Sequence, residues 1–463
     1  MEEVEARGNT QPLPQIALSR NLKNRHIQLI ALGGTIGVGL FLGSGKAIHS
    51  AGPGLLLGYA LGGLAIFFIM RALGELMAYR PVAGSFASYA SEFVGPFAGF
   101  ATGWSYWFMW VVTAMAELTA IGIYMHYWFP QLPQWIPSLI ALLALYATNL
   151  LTVRVYGEIE FWFALIKLVA IVGLIVTGVV ITVFHVGELG ATASVSNLWS
   201  HGGFLPFGLV GVLLTLQIVM FAYSGVELVG VTAGEAENPS QVLPRATNGV
   251  VYRILIFYIG ALVVIMTLVP WDQLDPTMSP FVLILDKIGA SGAATVLNLV
   301  VITAAASSCN GGIYSTGRML YTLALRGQAP QSFATLGVKQ VPRSGIHASA
   351  AVMLIGVALN YVVPEEVFTW VTSIALIGTL WTWGIIMLSH HNYRRAVSAG
   401  RATATSYRMP GAPWANWGVI AFLLLVAVLL GFDAGTRVAL YVAPFWFALL
   451  GVGYWMSRSP RPV

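Results

Sequence analysis

Apolar segments long enough to cross a bilayer follow one another along almost the whole chain. A helix needs about 20 mostly apolar residues to span a membrane, and a helix satisfies all of its backbone hydrogen bonds internally. We predict twelve such helices, at approximately residues 27–48, 54–78, 97–129, 134–153, 158–184, 207–235, 247–269, 292–325, 346–363, 367–390, 414–432 and 437–456. The sequence therefore predicts an all-α polytopic membrane protein.

The composition agrees with a chain that faces lipid. Of its 463 residues, 57% are hydrophobic and 9% are charged, and the mean hydropathy is +0.78. A soluble domain carries about 25% charged residues, so a soluble chain of this composition could not cover its surface. The net charge of +5 does not indicate nucleic-acid binding, because no basic run lies on a soluble domain.

The positions of lysine and arginine predict the orientation. Cytoplasmic loops of membrane proteins are enriched in these residues. With the N-terminus in the cytoplasm, almost all of the 23 basic residues lie on the inside. The exceptions are Lys46, Lys287 and Arg437 outside, and Lys167 within a span. We therefore predict that residues 1–25 and 457–463 are cytoplasmic tails.

The first predicted span is unusually rich in glycine, with Gly33, Gly34, Gly37 and Gly39 near its middle. Each glycine weakens a helix by roughly 1 kcal/mol relative to alanine. Two interpretations are equally open at this point. The spacing of Gly33 to Gly37, and of Gly39 to Gly43, is typical of close helix packing, whereas the cluster as a whole is typical of an unwound helix.

The sixth predicted span is interrupted in the same way, by Ser224 and Gly225 followed by Glu227. Spans one to five and six to ten would then form two similar halves, at residues 26–190 and 200–392, with the second half inverted. Two extra helices follow at 413–456. Two broken helices predict a substrate site at the membrane midplane, because N–H groups at a half-helix start bind a carboxylate and free carbonyls bind an ammonium group.

Three ionisable residues lie deep in predicted spans: Glu117, Lys167 and Glu227. A charge there costs about 2.5–3.5 kcal/mol even on lenient scales, so such residues are functional candidates. The alternative is structural, with a neutral hydrogen-bonded carboxyl group or a lysine bound to a helix-end carbonyl. The acidic residues near helix ends are expected to be solvated or to cap helices; these are Glu158, Glu160, Glu235 and Glu237.

Other chemistry is sparse in this sequence. The adjacent His390 and His391 suit neither a helical metal pair nor catalysis, and the glycines at 33–39 lack the residues of a phosphate-binding loop. We therefore expect no metal, no cofactor and no enzymatic activity. A channel would need rings of like residues around an axis, and a membrane enzyme would need a nucleophile with its base; neither pattern is present.

Five ordered segments resemble the amino acid permeases of the amino acid–polyamine–organocation superfamily, in the bacterial amino acid transporter family. They read RNLKNRHIQLIALGGTIGVGLFLGSG (20–45), PVAGSFASYASEFVGPFAGF (81–100), VYGEIEFWFALIK (155–167), FAYSGVELVGVTAGEAENP (221–239) and GRML (317–320). The resemblance extends from about Arg20 to Met456. It implies a permease domain at 26–456, with two inverted five-helix repeats and two extra helices, in a bacterial inner membrane.

The resemblance also implies functional residues. The substrate would be held by the two broken stretches, Thr35, Ile36, Gly37, Val38 and Gly39, and Phe221, Ala222, Tyr223, Ser224 and Gly225. Lys167 matches a helix-five lysine that stands where sodium-coupled relatives bind an ion, and Ser307 and Ser308 would lie near it. The expected partners are thus an amino acid, a proton and the lipid bilayer, with the oligomeric state left open.

The substrate class follows from two further segments, 103–120 and 306–320, which look most like permeases for serine, threonine, alanine and glycine, including their D-forms. Other segments are equally similar to aromatic and proline permeases, and a histidine permease is a further alternative. The sequence hypothesis is therefore a proton-coupled importer of neutral amino acids.

Overall fold

The computed structural model describes residues 36–458 except 83, 233–248, 250–251, 253, 277, 288–291 and 338–339. All regular structure in these ranges is helical. Thr35, Glu235, Glu237 and the predicted N-terminal tail lie outside the described residues, as does the C-terminal tail after residue 458.

Twelve helical units, labelled α1 to α12, follow the predicted spans. They are α1 (Val38–Phe41, continuing as Gly43–Ala51), α2 (Leu55–Tyr79), α3 (Pro96–Met125), α4 (Trp135–Asn149), α5 (Val153–Phe184), α6 (Gly208–Ala222, then Leu228–Thr232), α7 (Ile254–Gly260, then Ala261–Leu268), α8 (Ala293–Leu325), α9 (Arg343–Val362), α10 (Val367–Ser398), α11 (Trp414–Leu429) and α12 (Val438–Arg458).

These helices are long and apolar enough for a membrane protein. Seven helical stretches of the described residues qualify as spans, and the stretch Gly43–Tyr79 contains the second part of α1 together with α2. Four shorter apolar helices belong to α4, α6, α7 and α11. The predicted all-helical, polytopic architecture is therefore confirmed.

Two helices of intermediate length, one of nine and one of eight residues, lie outside the predicted spans. Ser85–Phe93 lies between α2 and α3, and Pro280–Lys287 lies between α7 and α8. Each is too short to cross a bilayer, so neither produces a hydropathy signal of its own. They occupy the same place in the order of elements of the two predicted halves. The repeat boundaries themselves stay a prediction.

The centre of the molecule is formed by α3, which packs against α8 and α10 and also against α4 and α9. Tyr106 and Trp110 of α3 are fully buried there. By contrast, α5 and α12 expose many large apolar side chains, such as Val169 and Trp455, as expected for helices that face lipid. The inward side of α5 packs on α8, α7 and α4, and its chemistry reaches the centre from that side.

A buried ionic cluster ties the loop between α10 and α11 to α2. Glu75 Oε2 accepts hydrogen bonds from His390 Nε2 at 2.9 Å and from the Met409 amide at 2.6 Å, and Glu75 Oε1 lies 3.2 Å from Arg394 Nη1. The Asn416 amide group bonds with His390 Nδ1 at 3.0 Å. Because Asn416 donates to Nδ1, His390 donates from Nε2 to the carboxylate.

Candidate substrate and coupling site

The start of α1 lies in the interior and is not helical before Val38. Ile36 and Gly37 precede the helix, and Gly37 is extended, with φ −121° and ψ −157°. The first N–H groups of a helix have no partner within the helix, and they carry the positive end of its dipole. Of the predicted break at 35–39, Ile36 and Gly37 are described as non-helical, Val38 and Gly39 are helical, and the residues up to Thr35 lie outside the described part of the chain.

A carboxylate lies at this helix start. The Val38 amide donates a hydrogen bond to Glu117 Oε2 of α3, with an N to O distance of 3.3 Å. Gly37 permits this approach, because a Cβ atom at that position would collide with the other carboxyl oxygen of Glu117. The Ser308 hydroxyl of α8 lies beside the same carboxyl group. The site therefore brings α1, α3 and α8 together at Glu117.

Lys167 approaches the same stretch from α5. Its side chain is fully buried, and Nζ donates to the Ile36 carbonyl at 3.1 Å and to the Ser307 hydroxyl at 2.9 Å. The carboxyl groups of Glu160 and Glu117 are near enough to interact electrostatically with this ammonium group. The contact with Ile36 is the one expected if Lys167 has a structural role, in which a buried lysine is bound to a backbone carbonyl. It also fixes the non-helical residues that the functional interpretation requires.

The expectation that Glu160 is solvated or caps a helix is wrong. Glu160 is 1% exposed, and its Oε1 accepts a hydrogen bond from the Ser307 hydroxyl at 2.6 Å. Ser307 thereby links Lys167 to Glu160, because its hydroxyl oxygen accepts a hydrogen bond from the ammonium group while its hydroxyl hydrogen is donated to the carboxyl group. The physical reason is position: Glu160 and Lys167 are seven residues, or about two turns, apart on the face of α5 that touches α8.

The break in α6 is present where predicted. The first part of α6 ends at Ala222 and the second begins at Leu228, with Gly225 between them at φ +95°. Glycine adopts such a φ at little cost. The Ala222 carbonyl accepts from the Tyr258 hydroxyl at 3.0 Å, and the Ser224 hydroxyl lies 3.2 Å from that of Thr379 on α10.

The two broken helices cross at Gly39 and Ala222. A Cβ atom on Gly39 would lie 2.6 Å from the Ala222 Cα atom, and one on Gly43 would lie 3.0 Å from Ile218. For this pair of glycines the packing interpretation is therefore correct. Gly37 differs from them, because its neighbour is the end of a flexible carboxylate side chain. Gly33 lies outside the described residues.

Not all predicted site residues converge. The Tyr223 hydroxyl donates to the Tyr59 carbonyl of α2 at 2.9 Å, and its ring packs edge-on against that of Tyr59. Glu227 is fully buried, and its Oε2 accepts from Trp383 Nε1 of α10 at 3.1 Å. Glu227 is thus bound to α10, and it does not take part in the described hydrogen bonds around Lys167. Phe221 is buried in the last turn before the break.

Sequence reasoning missed the partners that these residues acquire from other helices. The Asn149 amide group donates to Asn310 Oδ1 at 2.7 Å, next to Glu160. Thr379 and Trp383 reach the α6 break from a helix more than 150 positions away. The spacing of Glu160 and Lys167 on one helix face was an available signal. For the polar residues of α4 and α10, nothing in the sequence pattern indicated the contact.

Comparison with known proteins identifies the family of the chain. A family model described as amino acid permease matches residues 26–462. The chain belongs to the amino acid permease family. The permease is therefore a transporter and not an enzyme, and the family has a twelve-helix fold. Its apolar helices and its bacterial relatives identify it as a multi-pass inner-membrane protein.

Three relatives align with the permease over nearly their full lengths. The amino-acid permease AapA of Bacillus subtilis (strain 168) is 49% identical over 95% of each chain. The probable threonine/serine transporter YbxG of the same organism is 47% identical over 95% of each chain. The aromatic amino acid transport protein AroP of Escherichia coli (strain K12) is 46% identical over 94% of the permease and 95% of its own length.

Proposed function

We propose that this permease imports small neutral amino acids together with protons. The observation that carries the proposal is that Glu117 and Lys167 meet at the start of α1, where Glu117 accepts from the Val38 amide and Lys167 donates to the Ile36 carbonyl. A carboxylate and an ammonium group converge there on backbone atoms that a helix would have used internally. An α-amino acid carries the same two groups, so it can compete for the same kinds of partners.

In the proposed bound state, the substrate carboxylate replaces that of Glu117 at the Val38 amide. The start of α1 favours a negative charge because of its unpaired N–H groups and its dipole. Gly37 has no side chain to block the approach. The substrate ammonium group is assigned to the α6 break, where a carbonyl such as that of Ala222 keeps a second lone pair beside its bond with Tyr258.

Displacement of Glu117 provides a route to proton coupling. A carboxylate that loses its hydrogen-bond donors in a buried site is stabilised by taking up a proton. Substrate binding and protonation of Glu117 would therefore favour one another. Lys167, Ser307 and Glu160 form a second buried chain of exchangeable protons next to it. We assign the coupling role to Glu117, with Lys167 as its electrostatic partner.

Sodium coupling is disfavoured by the contacts of Lys167. A sodium ion would need oxygen ligands, and the Ile36 carbonyl and the Ser307 hydroxyl both accept hydrogen bonds from the ammonium group instead. A cation in the same place would also be repelled by that charge. The proposal is therefore symport with protons and without sodium.

The internal repeats and the orientation complete the proposal. Residues 26–190 and 200–392 are taken as inverted halves, each starting with a broken helix, and α11 and α12 follow at 413–456. Both chain ends are placed in the cytoplasm. Movement of one half against the other would open the site alternately to the two sides.

Aromatic amino acids are the second candidate substrates, because AroP is almost as similar to the permease as YbxG is. The hydroxyl groups of Ser224 and Thr379 at the α6 break favour a small polar side chain such as that of serine or threonine. Counterflow of labelled serine in proteoliposomes tests this choice. Competition by threonine, alanine or glycine is expected, and stronger competition by phenylalanine or tryptophan would reject the assignment.

A further inference from the structure

We propose that a groove between α3 and α12 binds one acyl chain of a membrane phospholipid. The groove has a volume of about 570 Å³, within the usual range of small-molecule sites. It is lined by aromatic residues of α3, by the loop that follows α8, and by one face of α12. None of these residues belongs to the candidate substrate site.

The groove presents mainly apolar ring surfaces, with Gln328 Oε1 as a buried polar atom in its lining. The indole N–H groups of its three tryptophans are already bonded within the protein. Trp104 donates to the Gln328 carbonyl at 3.0 Å, Trp107 to Ser349 at 2.9 Å and Trp446 to Ser105 at 3.1 Å. Trp446 also stacks on Phe108, with ring centroids 4.3 Å apart. These contacts fix the walls and leave ring faces for an apolar ligand.

The length of the groove matches one leaflet of a bilayer. Along α12 it runs from Trp446 to Ser457. Eleven residues of helix rise about 16 Å, and half of the hydrocarbon core measures about 15 Å. Along α12, the hydroxyl-bearing Ser457 lines one limit of the groove, near the end of the helix, and the aromatic Trp446 lines the other. This polarity along the groove agrees with a chain whose headgroup lies at the membrane surface.

The outer rim of the groove is open to the bilayer. Leu449, Val452 and Met456 of α12 are 52%, 55% and 64% exposed. In a membrane these side chains contact lipid tails, so an acyl chain can enter the groove sideways without crossing a polar surface. A phospholipid of the surrounding leaflet is the ligand that is always present at that depth.

Two glycines of α12 provide a matched pair of variants. Gly453 lines the groove, and a Cβ atom on it would lie 3.5 Å from Phe100 Cζ, an ordinary contact. A Cβ atom on Gly451 would meet no described atom within 4 Å. Gly453→Leu thus fills the groove, whereas Gly451→Leu adds the same side chain to the same helix elsewhere.

The experiment uses a phospholipid with a photoactivatable group at the end of an acyl chain, added to the purified full-length protein in detergent. We expect crosslinks to peptides of α3 and α12 that saturate at about one lipid per chain. Crosslinking to these peptides should fall about tenfold in Gly453→Leu and stay unchanged in Gly451→Leu. Unlabelled phospholipid should compete about tenfold better than the free fatty acid.

Several results would overturn this proposal. Equal crosslinking of both leucine variants and the wild type would indicate ordinary surrounding lipid. Equal competition by the fatty acid would reject a phospholipid as the ligand. A dimer of the wild type that Gly453→Leu alone dissociates would assign the groove to a second copy of the chain. If Gly453→Leu fails to fold, the wild-type protein alone still tests the proposal. Crosslinking that does not saturate, and that unlabelled phospholipid does not reduce, would reject a specific site.

Discussion

The Val38 amide at the start of α1 donates its hydrogen bond to Glu117 of α3, at an N to O distance of 3.3 Å. These residues are separated by 79 positions in the chain. The bond places the Glu117 carboxylate at the start of α1. In the proposed bound state, the substrate carboxylate occupies the same place. In this account, binding exchanges one carboxylate for another, and the displaced one takes up the proton.

Glu117→Gln tests this exchange. Glutamine keeps an oxygen for the Val38 amide but cannot take up and release a proton. We expect uptake driven by an inward proton gradient to fall about tenfold or more, while counterflow exchange of substrate stays within about twofold. Glu188→Gln is the control, because Glu188 is exposed in the connection after α5. Equal losses of driven uptake and of counterflow would indicate a structural role for Glu117.

Gly37 and Gly39 separate a binding role from a packing role. An added Cβ on Gly37 meets the movable carboxyl group of Glu117, whereas one on Gly39 meets the backbone of Ala222. We expect Gly37→Ala and Gly37→Leu to fold but to lose the substrate-induced shift in melting temperature. Gly39→Ala should instead lose about 1–3 kcal/mol of stability, as overpacked sites do.

Melting curves with and without substrate measure the stability of the Gly37 and Gly39 variants and the shift in melting temperature that substrate induces. A Gly37 variant that is unstable yet retains its ligand shift would contradict the assignment of α1 to the substrate site. A Gly39→Ala protein of full stability would contradict the close crossing of α1 and α6.

The Glu75 cluster is expected to contribute to stability rather than to transport. Glu75→Gln removes the charge that accepts hydrogen bonds from His390 and Met409 and pairs with Arg394. We expect a loss of about 1–3 kcal/mol in the free energy of unfolding. The matched control is Glu92→Gln, which removes the partly exposed ion pair with Arg80 and should cost no more than about 1 kcal/mol. Equal losses in the free energy of unfolding for the two variants would show that the buried position of Glu75 does not strengthen its contribution to stability.

Hydropathy was sufficient to predict the spans, because each helix that faces lipid must be apolar along its own length. The cost of a charge in a membrane was sufficient to single out Glu117, Lys167 and Glu227. Glu160 was missed because its place near the predicted start of a span suggested contact with solvent. The packing of α5 on α8 buries it, and that contact has no signature within either segment.

Contacts between distant segments limited the remaining predictions. The link from Ser224 to Thr379 joins α6 to α10, and the pair Glu75 and His390 joins α2 to α10. The two short helices Ser85–Phe93 and Pro280–Lys287 were missed for a different reason, because they are shorter than any membrane span. Hydropathy alone predicts which segments cross the bilayer, and it does not predict which polar side chains meet inside.

Proton-driven transport is measured by uptake of labelled serine into proteoliposomes, under an inward proton gradient in sodium-free buffer. We expect accumulation above the external concentration, which collapses when a protonophore removes the gradient. We expect the same uptake after addition of sodium, because Lys167 holds the Ile36 and Ser307 oxygens that a sodium ion would need. Accumulation that requires sodium and ignores the proton gradient would contradict the account.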